Sequence, residues 1–230
     1  ASGGLRADLN TLSHYHVHFL SDTVDPLDTI NLGMSALTRL SPGTQSKWVV
    51  LYPVTDFTPY DNEPLDTGDY VLCPTLATSY KLSSFHLPFA VRAGMPGAMG
   101  FGGNIADLND GIKSQLAKNI EFYKSNRDFI QNAVGIPVSG VVPQEKDPVR
   151  IMQLMSRDKT RSMIFAYNIS LKGVQTKIKP QILEEHGEYS VTNVDSGNTH
   201  QFTGLQLMNG EMQSLSIGPQ EAVILDITKI

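Results

Sequence analysis

The spacing of apolar and polar positions changes its period near Gly135. Before that residue, short apolar runs alternate with stretches of helical period, a pattern that predicts α/β structure. The predicted strands are residues 15–20, 48–53 and 82–90, and the predicted helices are residues 27–40 and 111–132. After that residue, short β-prone runs separated by turn-forming residues predict an antiparallel β-sandwich. These runs are residues 161–169, 177–182, 189–194, 205–208 and 222–227.

The clearest prediction is the helix at residues 111–132. Its apolar residues recur at helical spacing, so we expect one face to pack against a sheet. Asn109 or Asp110 is expected to cap its start, and Gly135 with Pro137 to stop it. The apolar face is formed by Ile112, Leu116, Ile120, Tyr123 and Ile130.

The change of period also predicts two domains, at residues 1–137 and 138–230, joined through residues 138–147. The first half contains two or three βα units. A closed (β/α)8 barrel needs about 200 to 250 residues. If the first half is barrel-like, it is therefore an incomplete barrel.

Composition excludes several classes of function. The chain has 18 Lys and Arg against 23 Asp and Glu, and its formal charge of -5 disfavours a basic nucleic-acid-binding protein. No apolar run approaches the length of about 18 residues that crosses a bilayer, and residues 1–5 lack a signal-peptide pattern, so we expect neither membrane anchoring nor an intact signal peptide. Cys73 is the only cysteine, which excludes an internal disulfide and leaves the compartment open.

Residues 1–8 form the first stretch with possible chemistry. Gly3 and Gly4 follow Ser2, and two residues without Cβ atoms allow backbone N–H groups to approach a bound molecule closely. The alternative for this octapeptide is an ordinary tight turn before a helix.

Residues 14–22 form the second stretch. Strict alternation places His16, His18, Leu20 and Asp22 on one face of a strand. A polar face that ends in a carboxylate is typical of a barrel strand whose C-terminal end opens into a pocket. Asp22 would then lie at the rim. Spacing alone favours the alternative, in which Asp22 caps the helix that Pro26 opens and belongs to an ordinary βα loop.

The same stretch contains His14, His16 and His18, which raise the alternative of a metal protein. Extended alternation separates such residues by about 6 to 7 Å, which is too far for one small ion without a bent strand. We therefore expect no metal and no cofactor.

The two stretches together resemble a region of the clan D retaining α-galactosidases, glycoside hydrolase family 36. The family pattern reads Cys-Ala-Ser-Gly-Gly-Gly-Arg-x-Asp, followed by Trp-x-Ser-Asp-x-Thr-Asp. Residues 89–97, 120–127, 204–208 and 222–225 are similar to the family's last barrel strand and loop, its closing helix and its C-terminal antiparallel domain. The first two blocks are matched here by Ala1, Ser2, Gly3, Gly4, Arg6 and Asp8, then by Ser21, Asp22 and Asp25.

The resemblance implies the C-terminal part of a TIM (β/α)8 barrel followed by an antiparallel β-sandwich domain, and an α-galactoside oligosaccharide as substrate. Asp22 would be the general acid/base, a role that needs a carboxyl group with a raised pKa. Ser2 and Gly3 would approach sugar hydroxyls. Arg6 and Asp25 would hold the two loops together, with direct substrate contact as the alternative.

Two departures from the family pattern limit what the chain can do alone. The family's Cys would precede Ala1, and no Lys-x-Asp nucleophile motif is present. A retaining mechanism needs two carboxyl groups about 5 to 5.5 Å apart. We therefore expect the C-terminal portion of a larger enzyme, inactive without its missing N-terminal part, with homo-oligomerisation left open.

The rival interpretation is a catalytically silent carbohydrate-binding or assembly subunit. Such a module usually exposes a Trp or Tyr ring as a stacking platform for sugars. The single tryptophan, Trp48, lies in an apolar run that predicts a core position, which favours the enzyme fragment.

Overall fold

The computed structural model of the protein describes residues 26–37, 40–53, 70–75, 81–140 and 147–230. The helices in these ranges are α1 (Pro26–Ala36), α2 (Leu87–Gly94), α3 (Asp110–Asn132) and α4 (Gly204–Asn209). The strands of the first half are β1 (Ser46–Leu51), β2 (Tyr70–Thr75), β3 (Lys81–His86), β4 (Ala98–Gly103) and β5 (Val134–Pro137). Those of the second half are β6 (Val149–Met155), β7 (Arg161–Asn168), β8 (Val174–Thr176), β9 (Glu188–Asn193), β10 (Thr199–Thr203), β11 (Leu215–Ile217) and β12 (Ala222–Lys229).

Strands β1 and β4 form a parallel pair, with Ser46 opposite Ala98 and Leu51 opposite Gly103. Parallel neighbours need a crossover connection, and α2 lies within the connection between these two strands. Within the described ranges the parallel sheet ends with this pair, so the expected portion of a barrel is not seen there. Two strands cannot enclose a barrel interior, because a (β/α)8 barrel closes only with eight strands.

The second half is mainly antiparallel sheet, as the sequence predicts. Five of its strands and β5 of the first half form a six-stranded sheet with the order β10-β9-β12-β7-β6-β5, and β8 pairs with β11. Each neighbouring pair in the six-stranded sheet is antiparallel. Residues 149–155, which were not predicted as a strand, form the fully buried β6.

The middle strands β6 and β7 of the six-stranded sheet are buried on both faces. On one face, Tyr167 packs edge-on against Phe89 of α2 and donates a hydrogen bond of 2.9 Å to the Arg92 carbonyl oxygen. Arg92 itself donates to the Asp195 carboxylate in the β9–β10 connection. The opposite face forms a second core, which includes Ile164, Val191, Leu225, Ile227, Ile178, Leu183 and Leu207.

Helix α3 confirms its prediction. The Asn109 side chain accepts a hydrogen bond of 2.9 Å from the Ile112 N–H and so caps the first turn. Ile112, Leu116, Tyr123 and Ile130 are buried as expected, and Ile120 packs partly buried against the same core.

Several local predictions were wrong. Residues 82–90 were expected to form one strand, but the strand ends at His86 and α2 begins at Leu87, because Pro88 suits a first helical turn better than a strand. Residues 89–97, compared above with a last barrel strand and loop, therefore lie on α2 and the turn after it. The next strand in the chain is β4, which begins at Ala98. Residues 205–208 lie on α4, where Thr203 and Gln206 form a capping box. Residues 177–182 are not in a strand.

Candidate functional site

The sequence-predicted site residues lie outside the described ranges. They are Asp22 as the catalytic residue and Ser2, Gly3, Arg6 and Asp25 as substrate-binding residues. The same holds for His14, His16 and His18. These assignments therefore stay predictions.

The described residue that lies nearest to them in the chain is Pro26, which opens α1. This start agrees with the prediction of a helix that Pro26 opens, whereas the strand and the loop predicted before it lie outside the described residues. Asp28 lies in the first turn of α1, where a carboxylate is favoured by the helix dipole.

The carboxyl ends of the parallel strands form an edge of the type that carries active sites in α/β proteins. The Asn104 N–H, directly after β4, donates a hydrogen bond of 2.9 Å to the Leu51 carbonyl oxygen at the end of β1. Gly103 has a φ of 89°, and a Cβ atom there would overlap the Leu51 carbonyl oxygen. The two strand ends are thus held together by a backbone geometry that requires glycine.

The amino ends of the same strands border an open cleft of about 320 Å³. Trp48 lines this cleft and is 43% exposed, so the prediction that it lies in the core was wrong. The burial of β1 alternates, and Trp48 lies on the opposite face from Lys47 and Val49. Tyr123 closes one side, donating to the Gly97 carbonyl oxygen at 2.8 Å.

Lys47 is buried on the other face of β1. It is 4% exposed, and its Nζ has no hydrogen-bond partner among the described residues. Nζ lies against α1, since a Cβ atom added to Gly33 would be 2.6 Å from it. Burial lowers the pKa of Lys47 from 10.5 to about 7, because the charged form loses its hydration.

Neither a metal centre nor a membrane span was found in the part of the chain that the structure describes. No three His, Cys, Asp or Glu residues group there as ion ligands would. None of the helices there has the length and hydropathy needed to cross a bilayer.

No family model and no curated protein sequence matches the chain. Solved structures do match. The galactosidase domain of the α-galactosidase–sucrose kinase AgaSK is 16% identical with a TM-score of 0.67. The family 36 α-galactosidase AgaB from Geobacillus stearothermophilus is 13% identical with a TM-score of 0.68, and the α-galactosidase from Lactobacillus brevis is 14% identical with a TM-score of 0.68.

The fold resembles part of the family 36 α-galactosidases. Each of the three matches covers 91% of this chain. The chain spans about a quarter of the length of these structures, namely 25% of AgaSK and AgaB and 26% of the Lactobacillus brevis enzyme. The resemblance inferred from the sequence motifs is thus confirmed as a resemblance of fold.

Two features of this region were missed from the sequence. The alternation in residues 46–51 puts Lys47 in phase with Val49 and Leu51, and this signal could have predicted that Lys47 shares their face and that Trp48 lies on the other. The Gly-Gly-Asn sequence after the apolar residues of β4 could have predicted the tight strand end at Gly103 and Asn104.

Proposed function

We propose that the chain is the C-terminal part of a retaining α-galactosidase-like glycoside hydrolase that cleaves terminal α-linked galactose from oligosaccharides. The observation that carries this proposal is the match of fold over 91% of the chain to α-galactosidases, together with the paired motifs in residues 1–25. A solved structure of the related enzyme AgaA from Geobacillus stearothermophilus contains raffinose, an oligosaccharide of the proposed class.

The parallel pair β1–β4 supports a barrel that is completed by other chain segments. Parallel sheets occur almost only with both faces covered and rarely as isolated pairs. In the described ranges β4 has only β1 as a strand neighbour. On its outer edge the Met99 N–H donates to the Tyr123 hydroxyl at 3.1 Å, so a further strand would pair along the remainder of that edge. We place the barrel portion in residues 1–137 and a β-sandwich in residues 138–230. The sandwich is formed by β6, β7, β9, β10 and β12 together with the β8–β11 pair, and β5 of the first half adds an edge strand to its larger sheet.

In this proposal Asp22 first donates a proton to the glycosidic oxygen while a carboxylate of the missing N-terminal part attacks the anomeric carbon. The leaving group departs with that proton, and the galactosyl unit becomes bound to the carboxylate. Asp22 then removes a proton from water, which attacks the same carbon and releases galactose. Ser2 and Gly3 would bind sugar hydroxyls through the backbone, and Arg6 and Asp25 would position the loops.

One observation favours the rival function, a catalytically silent carbohydrate-binding or assembly subunit. The exposed ring of Trp48 provides the stacking surface that the sequence did not predict. The cleft beside it lies at the amino ends of β1 and β4, whereas activity in barrel enzymes is found at the carboxyl ends. Its location therefore fits subunit contact or sugar binding without catalysis.

Hydrolysis assays separate the two functions. The chain is assayed with raffinose alone and together with the N-terminal part that carries a Lys-x-Asp strand. We expect galactose release only from the combination, and trapping of the galactosyl intermediate on the N-terminal carboxylate. If the combination forms a stable complex but releases no galactose, the hydrolase proposal is wrong and the silent subunit is supported.

A further inference from the structure

The second half of the chain contains a cavity of about 410 Å³ that the proposed hydrolase mechanism does not use. It lies between the β9–β10 hairpin and the segment that leads from α4 into β11. Its volume falls within the range of small-molecule sites. Its described lining residues all lie between Val191 and Leu225.

Strand register explains why apolar and polar groups meet in this cavity. Val191 lies opposite His200, and Leu225 lies opposite Asn193. Residues opposite each other in neighbouring strands point to the same face of a sheet. Val191 and Leu225 are buried and form the floor, and Phe202, two residues after His200, adds an aromatic ring to the same face.

The rim of the cavity is rich in uncharged hydrogen-bonding groups. Asn193 Oδ1 accepts hydrogen bonds from the N–H groups of Asp195 at 2.9 Å and Ser196 at 3.1 Å, which holds the side chain in place. Its Nδ2 has no partner among the described residues and can donate two hydrogen bonds to a ligand. Asn198 and Gln213 add further amide groups to the lining.

Charge narrows the class of ligand. Among the described residues that line the cavity there is no Lys or Arg, and the one carboxylate is that of the exposed Glu211. An anionic ligand would therefore meet a like charge without a compensating cation. A carboxylate accepts hydrogen bonds from hydroxyl groups, and side-chain amides both donate to and accept from them. Apolar rings present a flat surface to the C–H face of a sugar.

We propose that this cavity binds a neutral sugar of two rings. One ring places its C–H face on Phe202, the neighbouring ring reaches Asn193, four residues along β9 from the residue opposite Phe202, and Glu211 accepts from a hydroxyl group. The small size of the cavity suits one or two sugar rings. At the ligand efficiencies of small polar molecules, one such ring binds with a Kd on the order of 1 mM. The site would hold an oligosaccharide on the second half of the chain irrespective of catalysis by Asp22.

The test is a titration of the intact, isotope-labelled chain with raffinose, up to about 50 mM, which is well above the expected Kd. The readout is the change in the NMR shifts of the backbone amides. We expect saturable shifts of the amides of Asn193, His200 and Phe202. Galacturonate, a charged sugar, should bind about tenfold more weakly, and Glu211→Gln should remove that discrimination.

Variants separate binding from folding. Phe202→Leu keeps an apolar side chain but removes the ring face, and should weaken raffinose binding about tenfold with an unchanged spectrum elsewhere. Controls are Leu205→Ala, an exposed apolar residue of α4, and Glu188→Gln, an exposed carboxylate on the other face of β9. Both controls should bind raffinose as the unmodified chain does.

Three results would overturn the proposal: no saturable shift of the cavity amides, shifts confined to other regions, or equal effects of Phe202→Leu and Leu205→Ala. Saturable binding of an unstructured neutral peptide at the same amides, without binding of raffinose, would likewise overturn the sugar assignment. Because none of these results involves galactose release, they leave the hydrolase proposal to its own assay.

Discussion

Arg161 and Asp226 form a two-point ion pair that joins β7 to β12. Nε lies 2.9 Å from one carboxylate oxygen and an Nη atom lies 2.7 Å from the other. The same guanidinium donates to Asn126 Oδ1 at 2.6 Å and lies 4.7 Å from the centre of the Phe129 ring. A single side chain therefore ties two strands of the six-stranded sheet to α3.

We expect Arg161→Lys to lower the free energy of unfolding by about 1–3 kcal/mol, because lysine cannot form the planar two-point pair. Urea denaturation measures this change. The matched control is Arg127→Lys, whose ion pair with Asp128 is long, at 3.8 Å, and exposed. The control should change stability by less than about 0.5 kcal/mol. Equal losses in both variants would show that the geometry around Arg161 contributes nothing.

Lys47 should make stability depend on pH in the alkaline range. Its pKa is about 7 in the folded chain and 10.5 ordinarily, so between these values the unfolded state binds more protons. The free energy of unfolding therefore rises as pH increases from about 7 to about 10.5, by up to about 1.4 kcal/mol per pH unit. Below the lower value both states are protonated, and the cost of burying the charge is present in full.

Lys47→Met removes this dependence while it retains an unbranched apolar stem. We expect the variant to be more stable than the unmodified chain by several kcal/mol near pH 7, with a difference that shrinks toward pH 10. Denaturation curves at pH 6, 8 and 10 measure it. Lys118→Met, at an exposed position of α3, is the control and should show a small difference at every pH. A constant difference for Lys47→Met would contradict the lowered pKa.

Gly103→Ala should destabilise the parallel pair. The substitution adds a Cβ atom at a φ of 89° and into the Leu51 carbonyl oxygen, so we expect a loss of more than about 2 kcal/mol. Gly197 also has a positive φ, of 71°, but a Cβ atom there meets nothing within 4 Å. Thermal unfolding should show a loss of only about 1 kcal/mol for Gly197→Ala. If the two losses are the same, the close approach to Leu51 is not the cause.

The proposed acid/base role of Asp22 predicts an effect that depends on the leaving group. In the complete enzyme, Asp22→Asn should slow hydrolysis of raffinose by about 10² to 10⁴-fold, because a sugar leaving group needs the proton. An activated aryl galactoside needs little protonation and should be slowed much less in its first step. Asp28→Asn, in the first turn of α1, is the control carboxylate. Equal losses on both substrates would contradict the acid role.

Elements with strong local signals could be predicted from the sequence. Helix α3 combines an apolar stripe with the Asn109 cap, and both act within a few residues of chain. Strands β7, β9 and β12 were also predicted to within two residues at each end. Residues 205–208 were predicted as a strand but lie on α4. There the local capping box formed by Thr203 and Gln206 outweighed the β-prone composition of the segment.

The candidate sites also include one that the sequence indicated and one that it could not indicate. The paired motifs in residues 1–25 led to the resemblance with α-galactosidases, and the similarity of fold agrees with it at 11–16% identity. The cavity lined by Val191, Phe202 and Glu211 could not be predicted, because its residues come from separate strands and a loop. Strand register brings Val191 and Phe202 to one face, and the segment after α4 adds Glu211.

The sequence by itself determined the helix and strands with strong local periodicity, the change to antiparallel sheet near Gly135 and the motif pair around Asp22. The tertiary structure alone decided that Trp48 is exposed while Lys47 is buried. Both lie on one strand, and alternation only states that they face opposite ways. Which face becomes the interior depends on what packs against it, here α1 beside Lys47 and an open cleft beside Trp48.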